Sequence, residues 1–282
     1  MSRLRVPRST LLFLTALLVA APARAQRAAQ PATPPSTEES MRDCRRDRWN
    51  DDREQHCEVR EYRLATPSRL RIDAGPNGGV RVRGWDRNEV LVRAIVRTEA
   101  RSIEEARELA TELEVITSSG DVRTEGPRSS WSSRRRSWSV SYEVWAPRQI
   151  DIDAESTNGG VHLTDVRGRL RAETTNGGVH LFDVAGDVRA RATNGGVQVE
   201  IARTRWEGTG LDAQTTNGGV TLTLPNDFNG RLEAETTNGG FRIDFPITLQ
   251  GRIGKHITTT LGSGGPLVRV ATTNGGVTIR RR

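Results

Sequence analysis

The tetrapeptide Thr-Asn-Gly-Gly stands at Thr157, Thr175, Thr193, Thr216, Thr237 and Thr273, with a partial echo at Asn77-Gly78-Gly79. The spacings are 18, 18, 23, 21 and 36 residues. The first two set a unit length, and the last reads as two units whose middle turn is altered to Gly262-Ser263-Gly264-Gly265. Aligned on the Asn, the residues six before are Ile152, Leu170, Val188, Leu211, Leu232 and Val268, and those four before are Ala154, Ala172, Ala190, Ala213, Ala234 and Val270. Three after the Asn stand Val161, Val179, Val197, Val220, Phe241 and Val277; five after stand Leu163, Leu181, Val199, Leu222, Ile243 and Ile279. Offsets that differ by two within each arm give each arm one inward face, so each unit is strand, turn, strand.

Asn-Gly turns also make hairpins. A meander gives no reason to repeat residue identity at every turn, whereas stacking brings identical turns into register. The expected fold is therefore all-β: a β-solenoid of Thr-Asn-Gly-Gly rungs over residues 148–282, preceded by a smaller β region with one amphipathic helix. The turn residues Asn158, Asn176, Asn194, Asn217, Asn238 and Asn274 are expected to form a structural ladder, with glycine supplying positive φ and Asn bonding to the neighbouring turn. Arg203 to Gly210, with Trp206, and Pro225 to Gly230 are the extra residues of the longer units, expected to bulge outward as loops. Calcium-binding repeats need Gly-Gly-x-Gly-x-Asp, but the second residue after this Gly-Gly is His162, His180 or Gln198. No metal or cofactor is expected.

Ahead of the repeats, residues 1–25 carry Arg3, Arg5 and Arg8, the apolar run Leu11 to Ala21, and Ala23-Arg24-Ala25, the pattern of a cleaved signal peptide. The apolar run is shorter than a membrane span, and no transmembrane segment is expected after cleavage. Export to the periplasm, the cell surface or the medium is implied. The formal charge of +7 falls to +3 once the four leader arginines are removed, and with export this argues against a nucleic-acid partner. Residues 26–58 read as a flexible lead-in stapled by Cys44 and Cys57, the only cysteines, which an oxidising compartment would join.

Residues 59–147 carry alternating apolar pairs (Leu70, Ile72; Val80, Val82; Val90, Val92) typical of strands. Ile103, Ala106, Leu109, Ala110 and Leu113 share one face of a helix over 102–114, and Ser102 with Glu105 forms a capping-box pattern.

The Thr-Asn-Gly-Gly-Val repeat is joined by Gly84-Trp85-Asp86, Val90-Leu91-Val92, the short helix, the strand Val140 to Pro147, and Leu261-Gly262-Ser263-Gly264-Gly265-Pro266. Together, over residues 60–282, these resemble the bacterial "putative adhesin" family of exported β-strand-repeat proteins. The resemblance implies a right-handed β-helix-like stack and binding at the envelope or cell surface; it carries over no catalytic residue.

Two features bear on function. Residues 126–142 contain Arg128, Trp131, Arg134, Arg135, Arg136 and Trp138 and no acid; with Trp206 they are the candidate ligand contacts. Arginine offers forked donors to an anion and tryptophan a stacking face, and the bland alternative is a solvated loop. His162 with His180, and Asp165 with Asp183, share offsets in adjacent units, a weak signal for a metal or acid–base site. The expected function is a non-catalytic adhesin or envelope binding protein whose partner is an anionic glycan or an envelope protein. The alternative is a β-helix carbohydrate-active enzyme, a lyase or hydrolase using the acid row Glu155, Glu173, Glu235.

Overall fold

The computed structural model describes residues 34–46, 53–127, 136–244 and 254–282; the expected signal peptide lies outside them. The N-terminal part gives α1 (Thr37–Arg46), β1 (Glu54–Ala65), β2 (Arg69–Asp73), β3 (Val80–Trp85), β4 (Glu89–Ala100), α2 (Ile103–Thr111), β5 (Glu114–Ile116), β6 (Asp121–Glu125) and β7 (Ser137–Pro147). The repeats then give β8 (Asp151–Asn158), β9 (Val161–Thr164), β10 (Arg167–Asn176), β11 (Val179–Phe182), β12 (Ala185–Asn194) and β13 (Val197–Glu200). They end with β14 (Gly210–Asn217), β15 (Val220–Leu224), β16 (Gly230–Asn238), β17 (Phe241–Ile243), β18 (His256–Leu261), β19 (Leu267–Asn274) and β20 (Val277–Arg281).

The fold is all-β. Two ten-stranded sheets run in the orders β1-β4-β7-β3-β9-β11-β13-β15-β20-β17 (sheet A) and β18-β16-β19-β14-β12-β10-β8-β2-β6-β5 (sheet B). The arm before each Asn lies in sheet B and the arm after each Gly-Gly in sheet A. Neighbouring arms are parallel and pair residue for residue: Leu170 sits between Ile152 and Val188, and Leu181 between Leu163 and Val199. Because side chains alternate along a strand, this register points Leu170, Ala172, Val179 and Leu181 inward, each at most 2% exposed. One core cluster runs from Leu70 to Ile279. At roughly 1.5 to 3 kcal/mol per fully buried aliphatic side chain, no single unit could offset the entropy of ordering its backbone, so stability comes from stacking.

Neither sheet breaks at the expected boundary between 147 and 148. β2 pairs with β8, and β3 lies between β7 and β9. The partial echo at Asn77 is thus a corner equivalent to the later ones. Residues 37–46 of the expected lead-in form α1, and the Cys44–Cys57 disulfide ties that helix to β1. Arg93, 6% exposed, fixes the approach to the helix: it bonds Glu61 and the Pro35 carbonyl and stacks on the Trp145 ring. The helix over 102–114 is α2, with Ser102 accepting from the Glu105 amide at 3.2 Å. Arg60 bonds the Ala110 carbonyl in its last turn and the Leu113 carbonyl just beyond it.

Three expectations are corrected. The extra residues of the longer units do not simply bulge outward: Trp206 and Phe228, 2% and 3% exposed, turn into the core, and the Trp206 indole N–H donates to the Gly186 carbonyl. An aromatic ring entering an apolar interior recovers more transfer free energy than one left in water. Second, residues 256–261 are not a parallel middle unit; β18 runs antiparallel to β16 at the edge of sheet B. Third, spatial order departs from chain order, because β19 lies between β14 and β16, and β20 between β15 and β17. The last unit of the chain is an interior one.

Deleting residues 267–282 should therefore abolish cooperative unfolding rather than fray one end. Thermal melts followed by far-UV circular dichroism check this, with the expected result a loss of the sigmoidal transition seen for the full chain.

Candidate functional site

The Asn-Gly-Gly corners carry the densest polar network. Asn158 donates its amide to the Asn77 side-chain oxygen, Asn176 to Asn158, Asn194 to Asn176, Asn217 to Asn194, Asn274 to Asn217 and Asn238 to Asn274, at 2.7 to 3.2 Å. A second row, missed in the sequence, lies just inside. Ser156, Thr174, Thr215, Thr272 and Thr236 donate their hydroxyls to the carbonyls of Gly78, Gly159, Gly195, Gly218 and Gly275 at 2.6 to 2.9 Å. The signal was the doubled Thr-Thr before four of the Asn residues. Glycine's role here is close approach: a Cβ on Gly177 would overlap the Gly159 carbonyl. With amides, hydroxyls and carbonyls engaged between corners, this edge is framework, and ligand contacts must be sought on the faces and ends.

The outer face of sheet B is a field of mixed charge. Across seven strands the middle row reads Arg71, Asp153, Arg171, Arg189, Asp212, Arg269, Glu233. Each member of the acid row has an arginine: Glu155 with Arg71 at 4.0 Å, Glu173 with Arg171 at 2.6 Å, Glu235 with Arg269 at 2.9 Å. Glu233, Glu235 and His256 bring donor atoms within 4.8 Å of one another, but Arg269 bonds both carboxylates, so a cation there would have to displace a fixed guanidinium.

On the outer face of sheet A, His162 and His180 stack with ring centroids 4.5 Å apart and planes 15° apart. Imidazole lone pairs lie in the ring planes, so two nearly parallel stacked rings cannot converge on one ion. Burial, then His180 and Arg81, push His162 down to about 4. The aspartates do not join the pair. Asp165 and Asp183 adopt φ of 55° and 48°, a left-handed conformation that Asp tolerates, and bond Arg148 and Arg203.

Of the basic loop, Arg128, Trp131, Arg134 and Arg135 lie outside the described residues. Arg136 and Trp138 line a cleft of about 620 Å³ with Leu109 of α2, Pro76, Asn77 and the turn Glu125 to Pro127. The Trp138 indole donates to the Pro127 carbonyl at 3.1 Å, and Arg136 Nη2 bonds Glu112 at 2.5 Å while its Nε lacks a partner among the described residues. Arg136 and Trp138 thus meet in one concavity, and Trp206 is removed from the candidate contacts by its burial.

A family model, Toastrack DUF4097, matches residues 106–280. The chain belongs to the Toastrack DUF4097 family. That match supports the resemblance read from the sequence. Similar solved structures include a "putative cell adhesion protein" from Clostridium sporogenes, 12% identical, covering 81% of this chain and 100% of that one, TM-score 0.38. A "putative adhesin" from Bacteroides fragilis is 10% identical over 80% and 97%, with TM-score 0.38. No curated protein matches the chain.

Two outcomes follow for the Toastrack chain. Thr174→Val should lower stability by about 1 to 3 kcal/mol by stranding the Gly159 carbonyl, measured by urea denaturation. Between about pH 6.5 and 4 the unfolded chain protonates at position 162 while the folded chain does not. Stability contributed by neutral His162 is therefore complete above about pH 6.5 and is lost as pH falls toward 4. His162→Gln, matching Gln198 in the same row, should flatten that slope in denaturation at stepped pH.

Proposed function

We propose that the protein is an exported, non-catalytic binding protein in which a β-solenoid of Thr-Asn-Gly-Gly rungs serves as a rigid stand for an anionic glycan of the envelope or cell surface. The observation that carries this reading is the cleft where Arg136 and Trp138 sit together at one end of the sheets. The Arg136 guanidinium and a neighbouring tryptophan lining one cleft suit an acidic sugar, whose carboxylate or sulfate takes forked donors and whose ring takes a flat apolar face. Arg136 and Trp138 stand at the start of β7 and Leu109 in α2, two elements held by the core, which fixes their spacing without any ligand.

The enzyme alternative is disfavoured by the ion pairing of its own acids. A glycosidase needs two carboxyl groups facing a substrate across roughly 5 to 9.5 Å, and Glu155, Glu173 and Glu235 are instead each drawn to an arginine. Their strands are also spread along sheet B, with β12, β14 and β19 between the last two.

Binding of the full chain to alginate and to heparin, by isothermal calorimetry at low and moderate salt, tests the reading. Arg136→Ser should weaken binding about tenfold, a loss on the order of 1.4 kcal/mol, without shifting the melting temperature. Binding that Arg136→Ser leaves unchanged would remove this cleft as the site.

A further inference from the structure

The outer face of sheet A is covered at one end and bare in the middle. One row of its side chains reads Leu91, Trp145, Arg83, Thr164, Phe182, Glu200, Thr223, Arg280 across successive strands. At the covered end Leu91 and Trp145, 2% and 5% exposed, pack with Trp85. Arg93 lies over the Trp145 ring and holds the Pro35 carbonyl. Farther along the same row Phe182 is 40% exposed, the one large apolar side chain left open among the described residues. A buried aromatic at one end of a row and an exposed one in its middle mark where the chain's own cover stops.

Around Phe182 is a trough of about 390 Å³ lined by His162, Thr164, His180, Gln198, Thr221, Thr223, Glu200 and Arg280. The parallel row His162, His180, Gln198, Thr221 repeats at the strand spacing of about 4.8 Å, giving a regular line of hydrogen-bonding groups beside the ring. A neutral imidazole has one donor and one acceptor, Gln has both, and a Thr hydroxyl has both, the pairing that hydroxyl groups require. The lining holds one acid and one base, and Glu200 also bonds Arg282 at 3.3 Å, whose guanidinium lies 6.0 Å from the Phe182 ring centroid. On this floor Glu200 offsets one of the two arginines. An uncharged saccharide chain matches its other two properties, an aromatic side chain for the C–H side of a pyranose ring and repeated two-way polar groups for its hydroxyls.

We propose that the trough over β9, β11, β13 and β15 is a second ligand site, distinct from the Arg136–Trp138 cleft, that takes an uncharged polysaccharide laid across the strands. Phe182 supplies the stacking platform, and His180 and Gln198 read the hydroxyls beside it. This does not depend on the anionic-glycan reading, and either can fail alone.

Affinity electrophoresis of the full chain through gels containing a soluble β-glucan, a galactomannan or a xylan, with alginate as the polyanion, tests it. The expected result is retardation in at least one neutral gel, weakened at least fivefold by Phe182→Ser and unaffected by Arg136→Ser. Phe182 is exposed, so Phe182→Ser should keep the wild-type melting temperature. Should it not fold, His180→Gln, which places in β11 the residue already present in β13, carries the same readout. Absence of retardation in all three neutral gels, retardation in alginate alone, or neutral-gel retardation untouched by both Phe182→Ser and His180→Gln would overturn the proposal.

Discussion

The side-chain amide relay along the Asn-Gly-Gly corners is the constraint on which the sheets depend. Between the ends, Asn77 and Asn238, each Asn offers its N–H to one neighbour and its oxygen to the other. A single-residue slip in a strand ending at an interior corner would break two of these links and turn its apolar face to water. The relay is solvent-exposed, so each bond contributes modestly by itself, about 0.5 to 1.5 kcal/mol. Its effect lies in register. The threonine hydroxyls just inside are buried, and those bonds remove carbonyls that would otherwise be left unsatisfied where adjacent glycines come close.

With register fixed at one edge, the two outer faces are free to differ. Sheet B carries a lattice of mixed charge whose acid row is paired with arginines, and sheet A carries a polar row beside a partly exposed phenylalanine. On the second, Phe182 is 40% exposed, with the Arg282 guanidinium over part of its ring. The N-terminal segment shows what satisfies such a surface. A disulfide and Arg93 hold it over Trp145, at the same face of the same sheet.

Much of this was legible in the residues. The inward positions read from the alignment, such as Leu170, Ala172, Val179 and Leu181, are buried, because period-two alternation beside a fixed turn leaves no other assignment. The capped helix at Ser102 followed from its three-to-four-residue apolar spacing and the Ser102–Glu105 pair. Strand order was not legible, because identical corners carry no label: any Asn-Gly-Gly can dock on any other, and chain order was the only guide available. The direction of Trp206 was also hidden, since an insertion interrupts the alternation that would have told inside from outside. Arg136 and Trp138 could be chosen from composition, but Leu109, which shares their cleft, is brought there by α2 and carried no such signal. The groove at Phe182 depends on which part of a face is left uncovered, a property of the whole assembly.

The interior place of β19 and β20 also sets an order in time. A chain made from its N-terminus can add neighbours in sequence only as far as β14 and β15. The unit made next, β16 and β17, has no parallel partner until the last fifteen or so residues arrive to stand between it and the growing stack. Until then β16 has only β18, to which it pairs antiparallel within a short stretch of chain. Closing that gap brings together segments far apart in sequence, the kind of contact that slows folding. Residues 267–282 act as a keystone, and what waits for them is the apolar inner face of β16, exposed for as long as their arrival is delayed.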